Sequence, residues 1–285
     1  MKNVLLALSF LDGNGVFPSF KSADYSIDNK PAEVLELPSC LINLKCEYAG
    51  QKMDRTVVER CLQEDDLAKT LRIAISYCWA ATKAFSEEER LKLLWGSFNA
   101  LYREYGRLNE MNCRIDTVML DEINDLFLQG SVLCKSLQVF MDEIGSAYKS
   151  FVRWKVITGS RSQSLYLHSK TNKKSEGAII KRLHKLDLET LTCMRDFGCG
   201  DVGGKKLLKG AIANVIQDVS ERDSPLRKTC LLLCRYIYIF RCDGVHANVE
   251  YPVFDSQSRQ DKRILADLLE AAIADFSSWL SRTQR

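Results

Sequence analysis

The chain has 285 residues, of which 46% are hydrophobic and 27% are charged, and its formal net charge is +3. This length is sufficient to bury a sizeable core, and the composition excludes a disordered or fibrous chain. The net charge is too small to indicate nucleic-acid binding by itself, so a polyanion site must come from local clusters of Lys and Arg.

The sequence shows no metal-site motif, no export signal and no membrane span. None of the 11 cysteines forms a Cys-x-x-Cys pair, which removes the main signature of zinc-knuckle and thioredoxin-type sites. The apolar run in "MKNVLLALSF" is too short to span a bilayer, and no small-residue cleavage pattern follows it. We interpret it as a buried strand or helix, and we expect a cytoplasmic protein without metal or cofactor.

The first third of the chain divides into an irregular and a helical part. Residues 1 to about 55 contain short apolar runs between turn signals, which predict an irregular, partly β segment. From Thr56 onward the apolar spacing is helical, and one or two helices are predicted before residue 86. We therefore predict an N-terminal segment of unknown role over residues 1–85 and a helical domain over residues 86–285.

The clearest helix begins after Ser86 in "SEEERLKLLWGSFNALYREYG". Ser86 is a good N-cap, and Glu89 follows it at the spacing of a capping box. Apolar residues then recur at intervals of three and four, so they share one face of the helix. Gly106 is predicted to end this helix.

A basic block follows a second helical stretch, which is predicted from about Asp116 to Trp154. Between Arg153 and Lys185 there are nine Lys and Arg residues and one acidic residue, Glu176. One interpretation, which we favour slightly, is a solvated loop with a basic helix face; the other is a patch that binds RNA. The residues of the second interpretation are Arg161, Lys170, Lys173, Lys174, Lys181 and Arg182.

Two more helices are predicted towards the end of the chain. "FGCGDVGGKKLL" departs from a Walker A loop at both ends of the motif, so we interpret it as an interhelical loop. Ser224 followed by Pro225 is a helix start, and the "LRKTCLLLCRYIYIFRC" stretch is apolar nearly all round, as in a buried central helix. The last segment places a single apolar stripe on one helix face: Ile264, Leu265, Leu268, Leu269, Ile273, Phe276 and Leu280.

The candidate chemistry lies in "FRCDGVHANVEYP", where Arg241 and His246 are separated by four residues. Histidine can exchange a proton near neutral pH, and arginine holds phosphate oxygens in a planar fork. Together they suffice for metal-independent RNA cleavage by attack of a 2′-oxygen on its own phosphate. Five helical positions leave the two residues roughly 140° and 7.5 Å apart, so we expect two copies of the motif to meet across an interface. The alternative is a helix-capping histidine at the end of a core helix.

The stretch from "YIYIFRCDGVH" to the final helix resembles the C-terminal signature of HEPN domains, an apolar helix that runs into Arg-x4-6-His. "LLWGSFNALYREYG" resembles the early helix of many HEPN proteins. The resemblance covers about residues 86–285. It implies a mainly α, HEPN-like up-and-down helical bundle that is usually dimeric, with the Arg-His motif at a cleft between two units.

The resemblance also implies roles for individual residues. His246 would be the acid and base, and Arg241 the phosphate-binding residue. Asp243 would support His246, with Asn248 and Asn99 as further supporting residues. Cys242 stands where the family often has a polar residue, which puts full catalytic competence in doubt, and Gly244 predicts a loosened helix at this point.

Three functions remain open at this level. The first is a metal-independent endoribonuclease that acts as a homodimer, in a toxin or antiphage defence role, with an antitoxin or activating partner. The second is a non-catalytic HEPN module that binds RNA, a nucleotide or a protein. The third is a helical adaptor in which Arg241 and His246 are ordinary helix-end residues.

Overall fold

The computed structural model of the protein describes residues 55–61, 63–111, 115–132, 137, 140–141, 144–157, 176–197, 205–220, 223–246 and 256–283. Helices hold 85% of the interpretable residues and no strand is found among them, which confirms the predicted mainly α helical bundle. The predicted irregular, partly β segment before residue 55 lies outside the described residues and stays a prediction.

The described helices follow one another in chain order from Arg55 to Thr283. Their bounds are α1 Arg55–Cys61, α2 Asp66–Ala81, α3 Glu87–Leu108, α4 Asp116–Leu128, α5 Ile144–Ile157, α6 Glu176–Leu183, α7 Leu188–Phe197, α8 Lys205–Val219, α9 Pro225–Leu231, α10 Ile237–His246 and α11 Ser256–Thr283. A π-helical turn, Leu232–Tyr236, joins α9 to α10. None of these helices combines the length and the apolar character that a bilayer crossing requires.

The chain divides into two compact units. The first contains Met1–Ile115, Val132–Leu137 and Ala266–Arg285, and the second contains Asp116–Ser131 and Gln138–Leu265. Helices α2 and α3 lie on either side of the predicted boundary at residues 85 and 86, and they pack against each other within the first unit. The proposed division of roles at that boundary stays a prediction.

An aromatic core holds the first unit together. Phe98 of α3 packs on Phe276 of α11 with ring centroids 6.2 Å apart, and Tyr105 packs on Trp279 at 5.7 Å. Such offset and edge contacts add to the free energy of burying the rings. At the edge of this core, Arg90 pairs with Asp267 at 2.6 Å and with the buried carboxylate of Glu270.

The predicted start of α3 is confirmed, and its predicted end is wrong by two residues. Ser86 Oγ accepts a hydrogen bond from the Glu89 backbone N–H at 3.1 Å. Gly106 is buried inside the helix, which continues to Leu108. The helix ends in a Schellman motif, because the Met111 N–H donates to the Gly106 carbonyl at 2.8 Å and the Glu110 N–H donates to the Arg107 carbonyl at 3.3 Å.

The residue in the left-handed position of this motif is Glu110, with φ 54°. Helix α4 ends in the same motif with Gly130, φ 72°, where an added Cβ would meet nothing within 4 Å. A side chain costs roughly 1–2 kcal/mol in this backbone conformation. We expect Glu110→Gly to raise the free energy of unfolding by about 0.5–1 kcal/mol, and Gly130→Ala to lower it by about 1 kcal/mol, in denaturant titrations.

Glu110→Ala is the control for this pair of variants, because it removes the same side chain and keeps the strained backbone. It should give none of the stability gained by Glu110→Gly. An equal gain for both variants would show that the Glu110 side chain, and not its backbone conformation, carries the cost.

The second unit is built around the predicted buried central helix, which is confirmed. Ser224 Oγ accepts from the Arg227 N–H at 3.2 Å, and Pro225 occupies the first helical position. Every residue from Thr229 to Ile237 is buried. The predicted helical stretch from about Asp116 to Trp154 contains helices α4 and α5, and Gly130, with φ 72°, follows the end of α4 at Leu128.

The central helix buries polar groups as well as apolar ones. Arg235, in the π-helical turn, is 1% exposed and donates to Asp121 Oδ1 of α4 at 2.8 Å. A second polar cluster surrounds Thr190: its hydroxyl donates to Asp187 Oδ2 at 2.8 Å, lies 3.0 Å from the Tyr148 hydroxyl and accepts from the Tyr236 hydroxyl. These hydrogen bonds offset the cost of burying the polar groups.

Candidate functional site

The central helix of the second unit leaves the protein core at Arg241. Ile239 and Phe240 are buried, whereas Arg241 and Cys242 are half-buried. Phe240 packs against Phe151 of α5 with ring centroids 6.0 Å apart, which anchors the residue directly before Arg241. The packing of Phe240 therefore holds the backbone in place at Arg241. The half-buried guanidinium can reach solvent, as an arginine that binds a phosphate must.

Arg241 and His246 lie on the same helix, and His246 is the last residue of α10. The helix also contains Asp243 and Gly244, so the prediction that the helix loosens at Gly244 is wrong. An ideal helix separates the two positions by about 140° and 7.5 Å. The two residues therefore do not share one face, and the predicted need for a second copy of the motif rests on this separation.

The surroundings of Arg241 include a tyrosine that the sequence analysis did not single out. Tyr238 lies one turn before Arg241 and is half-buried, with its phenol in hydrogen-bonding contact with Cys242. Burial raises the pKa of Tyr238, the nearby Cys242 thiol and Asp116 carboxylate raise it further, and the Arg241 guanidinium lowers it. At neutral pH the phenol keeps its proton and is a hydrogen-bond donor beside the arginine.

The spacing i, i+3 and i, i+4 was the signal that could have identified Tyr238, because residues three and four apart are neighbours on a helix. Asp116 offers no such signal, because it reaches this region only through the packing of α4. The Arg241 Nη1 also lies 3.9 Å from the Cys242 sulfur, a long contact to a weak acceptor. Within the described part of the chain, this is the one hydrogen bond of the guanidinium.

The first turns of α11 lie beside the same end of the central helix. Lys262 Nζ stands 5.8 Å from the centroid of the Phe240 ring, a cation–π distance. This contact brings a second cation to the residue directly before Arg241. The helix C-terminus itself carries partial negative charge, which favours cationic side chains and repels phosphate. Among the described residues, Arg241 and Lys262 are the cations placed to offset this repulsion at an anion site.

The remaining predicted site residues fall into two groups. Asn99 belongs to the first unit, and its amide donates to the buried hydroxyl of Tyr102 one turn away. Lys181 and Arg182 lie in the last turn of α6, where Lys181 is exposed and Arg182 is half-buried. The structure thus shows Asn99 hydrogen-bonded within its own helix, and its place in an Arg241–His246 cleft stays a prediction.

Several predicted residues lie outside what the structure describes. For Asp243 and His246 the structure gives the helical backbone position alone. The residues outside the described ranges are Arg161, Lys170, Lys173, Lys174 and Asn248. Within the described ranges, no three His, Cys, Asp or Glu side chains lie close enough together to hold a metal ion. The expectation of a chain without cofactor stays a prediction.

No protein-family model, curated protein or solved structure matches this chain. The functional argument therefore depends on the residues themselves: an arginine at the point where a buried helix reaches solvent, a protonated phenol beside it, and a histidine at the end of the same helix. The HEPN resemblance of the sequence remains a proposal.

Proposed function

We propose that the protein is a metal-independent endoribonuclease of the HEPN type that acts as a homodimer in a toxin or antiphage defence role. The observation that carries the proposal is the position of Arg241, which is half-buried directly after the buried residues Ile239 and Phe240, on a helix that ends at His246. The mainly helical fold supports the proposal, since the HEPN fold that the sequence resembles is an α bundle.

The proposed reaction needs one base, one acid and one group that neutralises charge. One His246 takes the proton of a ribose 2′-hydroxyl as the 2′-oxygen attacks the adjacent phosphorus. Arg241 binds the non-bridging phosphate oxygens and stabilises the charge that develops on them. The bond to the 5′-oxygen breaks, and that oxygen takes a proton from the second His246. The products are a 2′,3′-cyclic phosphate and a 5′-hydroxyl.

The dimer follows from the spacing of the two residues. One helix holds Arg241 and His246 at positions about 140° apart, so one chain is poorly arranged to present both to one phosphate. Two copies of α10 that approach each other would supply an arginine and a histidine to each side of a bound strand. Tyr238 would then add a neutral hydroxyl donor next to the arginine.

The test is the incubation of the purified protein with a labelled single-stranded RNA in EDTA. We expect cleavage by the wild type and a loss of about 10²–10⁴-fold in rate for His246→Ala. Arg241→Lys should also lose activity, because an ammonium keeps the charge without the planar fork. A strand with 2′-deoxyribose at the cleaved position should remain intact.

His184→Ala is the matched control. His184 lies outside the proposed site, with Nε2 3.8 Å from Asp218 Oδ2, and its replacement should leave cleavage unchanged. Cleavage that persists in His246→Ala would overturn the proposed chemistry. RNA binding without cleavage in every variant would instead support a non-catalytic HEPN module, and a monomer without RNA binding would support a helical adaptor.

A further inference from the structure

Three cations lie on one side of the first turns of α11. Arg259 and Arg263 are exposed and Lys262 is half-buried. At 100° per residue they fall within an arc of roughly 100°, which we call the α11 basic face. The acidic residue among them, Asp261, is buried and lies on the far side of the helix at about 200° from Arg259.

The N-terminal part of α11 carries an excess of positive charge. The N-terminal end of a helix carries partial positive charge, which acidic residues normally offset. Helix α3 follows this rule with Glu87, Glu88 and Glu89, whereas α11 has no acidic residue in its first turn and three cations soon after it. Three cations against one buried acidic residue, Asp261, leave a local charge excess that an external anion would offset.

The α11 basic face is also positioned next to the proposed site. Lys262 contacts the Phe240 ring, and Arg241 is the next residue of that helix. A chain of phosphates bound at Arg241 therefore has further cations beside it on a neighbouring helix. Because non-specific affinity for nucleic acids comes mainly from cations that neutralise phosphates, this arrangement suits a polynucleotide better than a single phosphate.

We propose that Arg259, Lys262 and Arg263 bind the sugar–phosphate backbone of single-stranded RNA and guide it to Arg241. The proposal rests on the proposed ribonuclease function and adds to it the surface that holds the substrate. A single strand is favoured because the attacking 2′-oxygen must lie in line with the leaving 5′-oxygen. The regular geometry of a duplex prevents that alignment.

The experiment measures RNA affinity against salt in the His246→Ala background, with a fluorescent 20-nucleotide single strand. Each lost phosphate contact should reduce the slope of log affinity against log salt by about 0.7. We expect the combined variant Arg259→Gln, Lys262→Gln, Arg263→Gln to reduce the slope by about 2. The single variant Arg263→Gln should reduce it by about 0.7, which keeps the test valid if the triple variant folds poorly.

The matched control removes three other exposed cations: Lys69→Gln, Lys92→Gln and Lys149→Gln. It changes the net charge equally and should leave the slope nearly unchanged. An equal decrease for both triple variants would overturn the proposal, and so would an equal affinity for a duplex and a single strand. If the wild type cleaves RNA and the triple variant keeps the wild-type salt slope, only the proposed role of the α11 basic face is overturned. If the wild type does not cleave RNA in the EDTA assay, the proposed ribonuclease function is overturned.

Discussion

Asp121→Ala is expected to lower the free energy of unfolding by about 3 kcal/mol, because it removes the carboxylate that faces a buried arginine. Arg235 is 1% exposed, and its guanidinium donates to Asp121 Oδ1 at 2.8 Å. Lys185 Nζ lies 3.5 Å from the other carboxylate oxygen, so Asp121 compensates two cations at once. When Asp121 is removed, the positively charged Arg235 guanidinium stays in a low-dielectric site and loses this carboxylate partner.

Replacement of Arg235 should lower the free energy of unfolding by less than replacement of Asp121. Arg235→Met removes the buried charge and fills a similar volume, and Asp121 keeps both solvent access and Lys185. Replacement of a buried ion pair by apolar side chains is often neutral, so the double variant Asp121→Ala, Arg235→Met should be more stable than Asp121→Ala alone. Denaturant titrations of the four proteins give this comparison as a double-mutant cycle.

Glu122→Ala is the control for helix α4. Glu122 follows Asp121 directly and is exposed, and its replacement should change the free energy of unfolding by no more than about 0.5 kcal/mol. If Asp121→Ala cost no more than this control, the buried arginine would not depend on Asp121 for its compensation.

The second large effect is a pH dependence of stability that originates at Asp187. Burial raises the pKa of Asp187 to about 6, and the nearby Asp223 carboxylate raises it as well. Hydrogen bonds from the Thr190 backbone N–H and hydroxyl, both at 2.8 Å, oppose this shift without cancelling it. The Tyr236 and Tyr148 hydroxyls complete the surroundings of Thr190.

The sign follows from which state binds the proton. The unfolded chain has an ordinary aspartate pKa near ~3.9. Between this value and about 6 the folded protein keeps the proton that the unfolded chain has lost. The stabilisation from protonated Asp187 is therefore fully present below the unfolded pKa, falls as the pH rises, and is lost above about 6. The loss amounts to roughly 3 kcal/mol for a shift of this size.

Asp187→Asn removes this titration and retains an N-cap side chain for α7. The stability of Asp187→Asn relative to the wild type should therefore rise by up to about 3 kcal/mol between pH 4 and pH 7, as measured by denaturant titration at each pH. A constant difference for Asp187→Asn would show that the buried carboxyl is ionised throughout the range.

Local signals were sufficient to predict where α3 and α9 begin and which face of α11 is buried. The N-caps Ser86 and Ser224 act on backbone groups three residues away. The apolar stripe of α11 is confirmed, since six of its seven residues are buried and Ile264 is half-buried. These features depend on the helical period of 3.6 residues and on hydrogen bonds within one turn, which a single stretch of sequence contains.

Features that depend on distant residues were not predictable in this way. No local signal predicts an ion pair between residues separated by 114 positions, as Arg235 and Asp121 are. The π-helical turn that contains Arg235 has no residue signature of its own. The Schellman motif at Glu110 was missed because a glycine is the usual signal for a left-handed residue, and Gly106 lies nearby at a helical position.

By itself the sequence determined the helical class of the described residues and the Arg241–His246 spacing on which the proposed chemistry depends. The tertiary structure alone decided that the helix leaves the core at Arg241, that Asp116 of α4 acts on Tyr238, and that α11 brings Lys262 to the ring of Phe240, the residue before Arg241. The physical reason is that a helix is stabilised by neighbours along the chain, whereas burial and electrostatic environment are set by whichever distant elements pack against it.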